Sequence, residues 1–130
     1  MTSRTPLYWL LLIIAVVTVI SGIAQMVKPA FVLGLVSAGA AAESEHFFGI
    51  VGMFMMLFGG MLTQVLLSSQ QPAVVLLWAG LQKLGASAAV ALGVARHIFG
   101  PAALGISAFD LTSGILIFLY LRGLTKAKVR

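Results

Sequence analysis

The sequence contains no cysteine and very little charge. Of its 130 residues, eight are Lys or Arg and three are Asp or Glu, so 8% are charged. An average soluble domain has about 25% charged residues. The absence of cysteine excludes disulfides, thiol catalysis and thiolate metal sites. The shortage of charge leaves too little polar surface to cover a water-soluble globule, and this indicates a membrane protein.

Long apolar runs make up most of the chain, in which 61% of residues are hydrophobic. A membrane-spanning helix needs about 20 mainly apolar residues. Four runs meet this need, and we call them the first to fourth runs: 7–27, 47–67, 73–95 and 102–121. They are continuous rather than alternating, which argues against a β-barrel. The sequence therefore predicts an all-α fold, an integral membrane four-helix antiparallel bundle, with residues 1–130 forming a single transmembrane domain.

The connections and the charges between the runs predict an orientation. Residues 28–46 form an outer connection, and its apolar part, 30–36, is predicted to be partly helical and either re-entrant or interfacial. With four spans, Lys28 and Arg96 lie on the side opposite the termini. Counting Lys and Arg gives two on that side against five on the terminal side. The positive-inside rule then places both termini and a basic tail, 122–130, in the cytoplasm. The basic residues gather at helix ends without interleaved aromatics, so nucleic acid is not an expected partner.

Two charged residues lie inside the runs, where an ionisable group costs at least ~2.5–3.5 kcal/mol. Lys83 lies ten residues after Ala73, about 15 Å into the third run at 1.5 Å per residue. Asp110 lies twelve residues before Arg122, about 18 Å into the fourth run. A short loop makes the two runs neighbours, so the groups are level to within about 3 Å. We expect an intramembrane ion pair that locks the two helices together. The alternatives are a titrating or ligand-binding centre, and two unpaired groups that each face water or a partner protein.

Small polar residues and small-residue stripes accompany this pair. Ser87, Ser107 and Ser113 are expected to satisfy the remaining hydrogen-bonding capacity of the two charges. Gly85, Ala89 and Gly93 repeat every four residues and form a helix-packing stripe, for a neighbouring helix in this chain or in a second copy. Gly22 is expected to permit close packing of the first helix in the same way.

Catalytic groups are absent from the pattern. Glu43, Glu45 and His46 lie close together where the second helix begins, but a solvated helix start explains them better than a metal site does. There is no nucleophile–base set, no metal-ligand cluster and no phosphate-binding loop. We therefore expect neither enzymatic activity nor a cofactor.

The chain resembles the small four-helix membrane proteins of the DoxX-like kind. The resemblance lies in Ser21-Gly22 followed by Lys28-Pro29, in the glycine-rich second run and in a polar residue within the last run. Many such proteins have no assigned activity, and some resemble subunits of quinone-linked oxidoreductases. Small multidrug transporters have a similar length, but they need an acidic residue in the first helix, and residues 7–27 contain none.

Two functions follow as expectations. The first is an accessory, scaffold or assembly subunit of a membrane complex, with the lipid bilayer, another membrane protein or a second copy as partners. The second is a binder or carrier of a small apolar molecule, a lipid or a quinone, with Lys83 and Asp110 as its polar anchor. A carrier needs an apolar pocket that reaches Lys83, whereas a subunit does not.

Overall fold

A computed structural model describes residues 4–37 and 41–128, apart from the side chains of Glu43 and Lys128. The described residues form five helices and nothing else regular: α1 (Pro6–Val27), α2 (Pro29–Val36), α3 (Ala42–Leu67), α4 (Ala73–Ala95) and α5 (Ala103–Lys128). All except α2 are long and apolar enough to cross a membrane, which confirms the four predicted runs as helices.

Proline sets the boundaries of the first two helices. Thr5 caps α1 by accepting a hydrogen bond from the Tyr8 amide at 3.3 Å, and Pro6 occupies the first turn, where its missing N–H costs nothing. Pro29 then follows Lys28, which leaves helical geometry and separates α1 from α2. The predicted helix within 30–36 is confirmed as part of α2.

α2 packs on the end of the molecule opposite the chain termini. Its Leu33 and Val36 are buried in a cluster with Ala103 of α5, and Phe48 and Phe99 pack against this cluster. The Gly100 amide donates to the Val36 carbonyl at 2.7 Å, which ties the α4–α5 loop to α2. α2 therefore covers this end of the helices with its buried side.

Most contacts between helices lie within two pairs, α1 with α3 and α4 with α5. Within each pair, residues later in one helix contact residues earlier in the other. The two helices of a pair therefore run in opposite directions. Glycine permits the close approach within the first pair. A Cβ added at Gly22 would lie 2.5 Å from the Met56 amide nitrogen and 2.6 Å from the Gly52 carbonyl oxygen. Gly22 thus packs as predicted, backbone against backbone.

A shared apolar core joins the two pairs near the chain termini. It includes Tyr8 and Leu11 of α1, Leu66 of α3, Leu76 of α4 and Ile117 of α5. Tyr120 also belongs to this core, and its hydroxyl donates to Gln71 Oε1 at 2.7 Å. This core and the α2 cluster occupy opposite ends of the molecule, and the polar residues of the candidate site lie between them.

Two helix boundaries differ from the prediction. α3 begins at Ala42, five residues before the second run, because acidic residues in a first turn suit the positive end of the helix dipole. α5 continues to Lys128, whereas the sequence predicts that the span ends at 121 and a tail follows. Basic residues are favourable near the negative end of a helix, and Leu, Ala and Lys are strong helix formers. Residues 129–130 of the predicted tail lie outside the described residues.

Candidate functional site

The candidate site is built from two charged residues, Lys83 of α4 and Asp110 of α5. Lys83 Nζ donates to Asp110 Oδ1 at 2.7 Å, and the two side chains are 5% and 7% exposed. The predicted pair is therefore present. Its formation follows from register, because α4 and α5 run in opposite directions and Lys83 and Asp110 lie at the same level, one turn from the Ser87–Ser107 contact.

Thr18 of α1 completes the environment of the ammonium group. Its Oγ1 accepts a hydrogen bond from Lys83 Nζ at 3.0 Å and donates its own hydrogen to the Ile14 carbonyl at 2.9 Å. Lys83 thereby connects α4 both to its partner α5 and to the other helix pair. Sequence reasoning did not include Thr18 in this site. The missed signal was depth, since Thr18 lies twelve residues into α1, about 18 Å, level with the ion pair.

The Phe109 ring lies beside the same ammonium group, with 5.1 Å between Lys83 Nζ and the ring centroid. A cation at this distance from an aromatic face is attracted by about 2 kcal/mol when the site is desolvated. The ammonium therefore contacts a carboxylate, a hydroxyl and an aromatic ring. Nowhere in the described residues does a fully buried side-chain nitrogen or oxygen lack a hydrogen-bond partner. The site is closed upon itself.

The three serines do not support the ion pair, and this prediction was wrong. Ser87 and Ser107 bond each other instead: the Ser87 hydroxyl lies 2.8 Å from the Ser107 carbonyl, and the Ser107 hydroxyl lies 2.9 Å from the Ser87 carbonyl. Ser113 donates to the Phe109 carbonyl of its own helix at 2.6 Å. The reason is again register, because each polar residue of α4 meets the residue of α5 at its own level, and Ser87 lies one turn beyond Lys83.

The predicted stripe of Gly85, Ala89 and Gly93 does not carry a helix of this chain. A Cβ at Gly85 would meet nothing within 4 Å, and Ala89 is exposed. Only Gly93 is in close contact, because a Cβ added there would lie 2.5 Å from the Phe99 ring. Residues four apart rotate by about 40° on a helix, so Gly85 and Gly93 face directions about 80° apart. That the stripe packs against another chain stays a prediction.

The residues that bring α4 and α5 together lie on a neighbouring face. A Cβ at Gly80 would lie 2.9 Å from the Phe118 ring, and one at Gly114 would lie 2.7 Å from a Leu84 methyl group. Gly80, Lys83 and Ser87 follow the spacing of three and four residues that keeps side chains on one helix face. Sequence reasoning preferred the regular four-residue repeat on α4 and so missed Gly80, although it predicts that Asp110 and Gly114 share one face of the fourth helix.

An open groove lies elsewhere, between α1 and α3. It measures about 650 Å³ and is lined by Val16, Val19, Gly60, Thr63, Gln64, Leu67 and Ser68. Neither Lys83 nor Asp110 lines it. The ion pair and this groove are therefore separate features of the molecule.

The residues weighed as metal ligands lie at the start of α3. Glu45 and His46 belong to its first turns, and the side chain of Glu43 lies outside the described residues. The His46 ring lies edge-on to Phe47, with 6.3 Å between the ring centroids. This cluster lies far along α3 from the level of Lys83.

The comparisons with protein-family models, with curated proteins and with solved structures return no match for this chain. The resemblance to DoxX-like proteins therefore stays a prediction.

Proposed function

We propose that this protein spans a membrane four times as an antiparallel helix bundle, with both termini in the cytoplasm, and acts as an accessory or scaffold subunit of a membrane complex. The observation that carries the proposal is the closure of the ion pair. Lys83 is held by Asp110, Thr18 and the Phe109 ring, and its side chain is 5% exposed. Charges that are satisfied within the chain support a structural lock rather than a binding centre.

The lock supports a rigid scaffold because it joins the two helix pairs. A buried charge that loses its partner costs about 3–5 kcal/mol, so the paired arrangement is strongly preferred over separated helices. An accessory subunit needs a fixed shape on which a partner packs, and it needs no internal reaction centre. The DoxX-like resemblance includes subunits of this kind and is consistent with the proposal.

The surface proposed for the partner is the part of α4 that this chain leaves uncovered. Gly85 and Ala89 are exposed there, four residues apart, and small residues at this spacing let a second helix approach closely in lipid. The partner is another membrane-spanning chain, either a different protein or a second copy.

A photo-crosslinking residue at Ala89 tests this role, with the same residue at the exposed Leu119 of α5 as the control. In native membranes we expect one discrete product from Ala89 and none from Leu119. A product of twice the 13.6 kDa chain mass identifies self-association, and any other mass identifies a partner subunit. The Gly85→Leu variant should lose the product, because its side chain fills the space a partner helix needs.

The alternative carrier function predicts another result. A lipid or quinone carrier anchored at Lys83 and Asp110 should yield no protein product from Ala89, and should lose its small-molecule cargo when both charges are removed. Crosslinking of Ala89 to lipid alone would therefore reject the subunit role.

A further inference from the structure

We infer that the groove between α1 and α3 binds one phospholipid with an anionic headgroup, taken from the membrane leaflet on the side of the chain termini. The inference rests on the membrane insertion proposed above. It concerns a different surface from the α4 face and a different chemistry from the ion pair.

The groove is about as long as one leaflet is thick. On α3 it extends from Ser68 to Gly60, eight residues or about 12 Å along the helix. One leaflet contributes half of a hydrocarbon core that is about 30 Å thick. Val16 and Leu67 are 41% and 65% exposed along this length, and a Cβ at Gly60 would meet nothing within 4 Å. An acyl chain from one leaflet therefore fits along the groove without crossing the midplane.

Polar residues line the groove from its middle to the end near the membrane surface. Thr63 and Gln64 lie midway along it, and Ser68 lies where α3 ends. The Thr63 hydroxyl already donates to the Gly59 carbonyl at 2.8 Å. Within the described parts of the chain, the Gln64 side-chain amide makes no hydrogen bond. Gln64 lies four residues before Ser68, about 6 Å below the end of the helix, where an amide without a partner is unfavourable. An ester carbonyl of a glycerolipid would accept its hydrogen there.

Charge at this end favours an anionic headgroup. Trp9 lies seven residues before Val16 and so shares its face of α1, and the Arg4 guanidinium lies 5.6 Å from the Trp9 ring centroid. α1 and α3 run in opposite directions, so Arg4 and Ser68 lie at the same end of this pair. Both glutamates begin α3 at its other end. A basic residue near the surface favours anionic lipid by roughly 1 kcal/mol, or about fivefold.

The test reconstitutes the full chain in vesicles of equal parts phosphatidylcholine and phosphatidylglycerol. The protein is extracted in mild detergent, and native mass spectrometry counts the phospholipids bound to it. Gly60→Leu fills the groove, and Gly105→Leu is the matched control, because a Cβ at either glycine would meet nothing within 4 Å. We expect one bound phospholipid on the wild type and on Gly105→Leu, and about tenfold lower occupancy on Gly60→Leu.

A second pair of variants tests the headgroup without altering a helix interior. Arg4→Gln should lower the preference for phosphatidylglycerol about fivefold. The control is Arg122→Gln, because Arg122 of α5 is a basic residue at the same end of the molecule but outside the groove, and its loss should leave the preference unchanged. Equal lipid occupancy on the Gly60 and Gly105 variants would overturn the inference. A second copy of the chain in the groove would also overturn the inference. It would appear as a complex of twice the chain mass that Gly60→Leu abolishes.

Failure of the proposed function is distinguished by an alkaline wash of the vesicles before extraction. If the wild type leaves the membrane in this wash, both the membrane insertion and the lipid site are rejected. If the protein remains embedded and the Gly60 and Gly105 variants carry the same lipid, only the lipid site is rejected.

Discussion

Lys83 connects three helices through one nitrogen atom, which bonds Asp110 of α5 at 2.7 Å and Thr18 of α1 at 3.0 Å. The energetic reason lies in the surroundings of the charge. A lone lysine at the centre of a spanning helix costs about 2.5–3.5 kcal/mol on insertion scales, and its carboxylate partner costs a similar amount. Each group offsets part of the cost of the other, so the arrangement is sensitive to the loss of either one.

The first prediction compares Asp110→Leu with the Lys83→Met and Asp110→Leu double variant. The single change leaves a buried ammonium without its carboxylate and should lower the free energy of unfolding by about 3–5 kcal/mol. The double change removes both charges, and Thr18 keeps its bond to Ile14, so stability should return to within about 1 kcal/mol of the wild type. Reversible unfolding in detergent micelles measures both.

Ser113→Ala is the control for this prediction, because its hydroxyl bonds only its own helix and the change should be nearly neutral. A double variant as unstable as the single one would show that the uncompensated ammonium is not what destabilises Asp110→Leu. A double variant that is stable but no longer crosslinks from Ala89 would show that the pair serves the partner contact.

At the residue scale the sequence predicts a pair but not its whole environment. Counting residues from the membrane surface brought Lys83 and Asp110 to one level, because helix rise is nearly constant. The same count does not give the rotation of each helix about its axis. For that reason the sequence predicts that Ser87 and Ser107 contact the charges, whereas they face each other one turn away.

At the scale of the helix, the length of an apolar run predicts where the long helices lie, but the sequence does not readily predict which helices pair. The four runs predicted α1, α3, α4 and α5, since a helix is the form in which one segment satisfies its own backbone. Which helices pair closely depends on where backbones can touch. Gly59 of α3 illustrates this, because an added Cβ there would lie 2.9 Å from the Val19 amide nitrogen of α1. Such contacts depend on the shape of both helices, which hydropathy does not encode.

The second prediction compares Gly22→Ala with Gly60→Ala. An added methyl group at Gly22 meets the α3 backbone at 2.5 Å, so the pair must separate, at a cost of about 1–3 kcal/mol. Gly60 is open, and alanine there should stabilise α3 by up to about 1 kcal/mol through helix propensity. Thermal unfolding of the two variants should move in opposite directions. Shifts of the same sign and size would mean that backbone approach does not hold α1 and α3 together.

At the scale of the whole molecule, two helix pairs are joined by an apolar core at one end, by α2 at the other, and by Lys83 between them. The apolar core lies on the same side as the termini, and most of the Lys and Arg residues lie on that side. The distribution of Lys and Arg predicts the orientation, because positive loops stay in the cytoplasm.

The third prediction concerns that orientation and uses the absence of cysteine. Ser69→Cys, in the α3–α4 loop, and Ile98→Cys, in the α4–α5 loop, each introduce a single reactive thiol at an exposed position. In intact cells a membrane-impermeant maleimide should label Ile98→Cys at once and Ser69→Cys only after permeabilisation. The reverse pattern would invert the topology, and labelling of both from one side would exclude four spans.

The two hydrogen bonds of Lys83 also suggest an order of assembly. Asp110 lies 27 residues after Lys83, and Thr18 lies 65 residues before it. The entropy cost of closing a loop grows with its length, so the contact with Thr18 costs about 0.8 kcal/mol more to close than the contact with Asp110. We therefore expect the hairpin of α4 and α5 to form before it docks on α1.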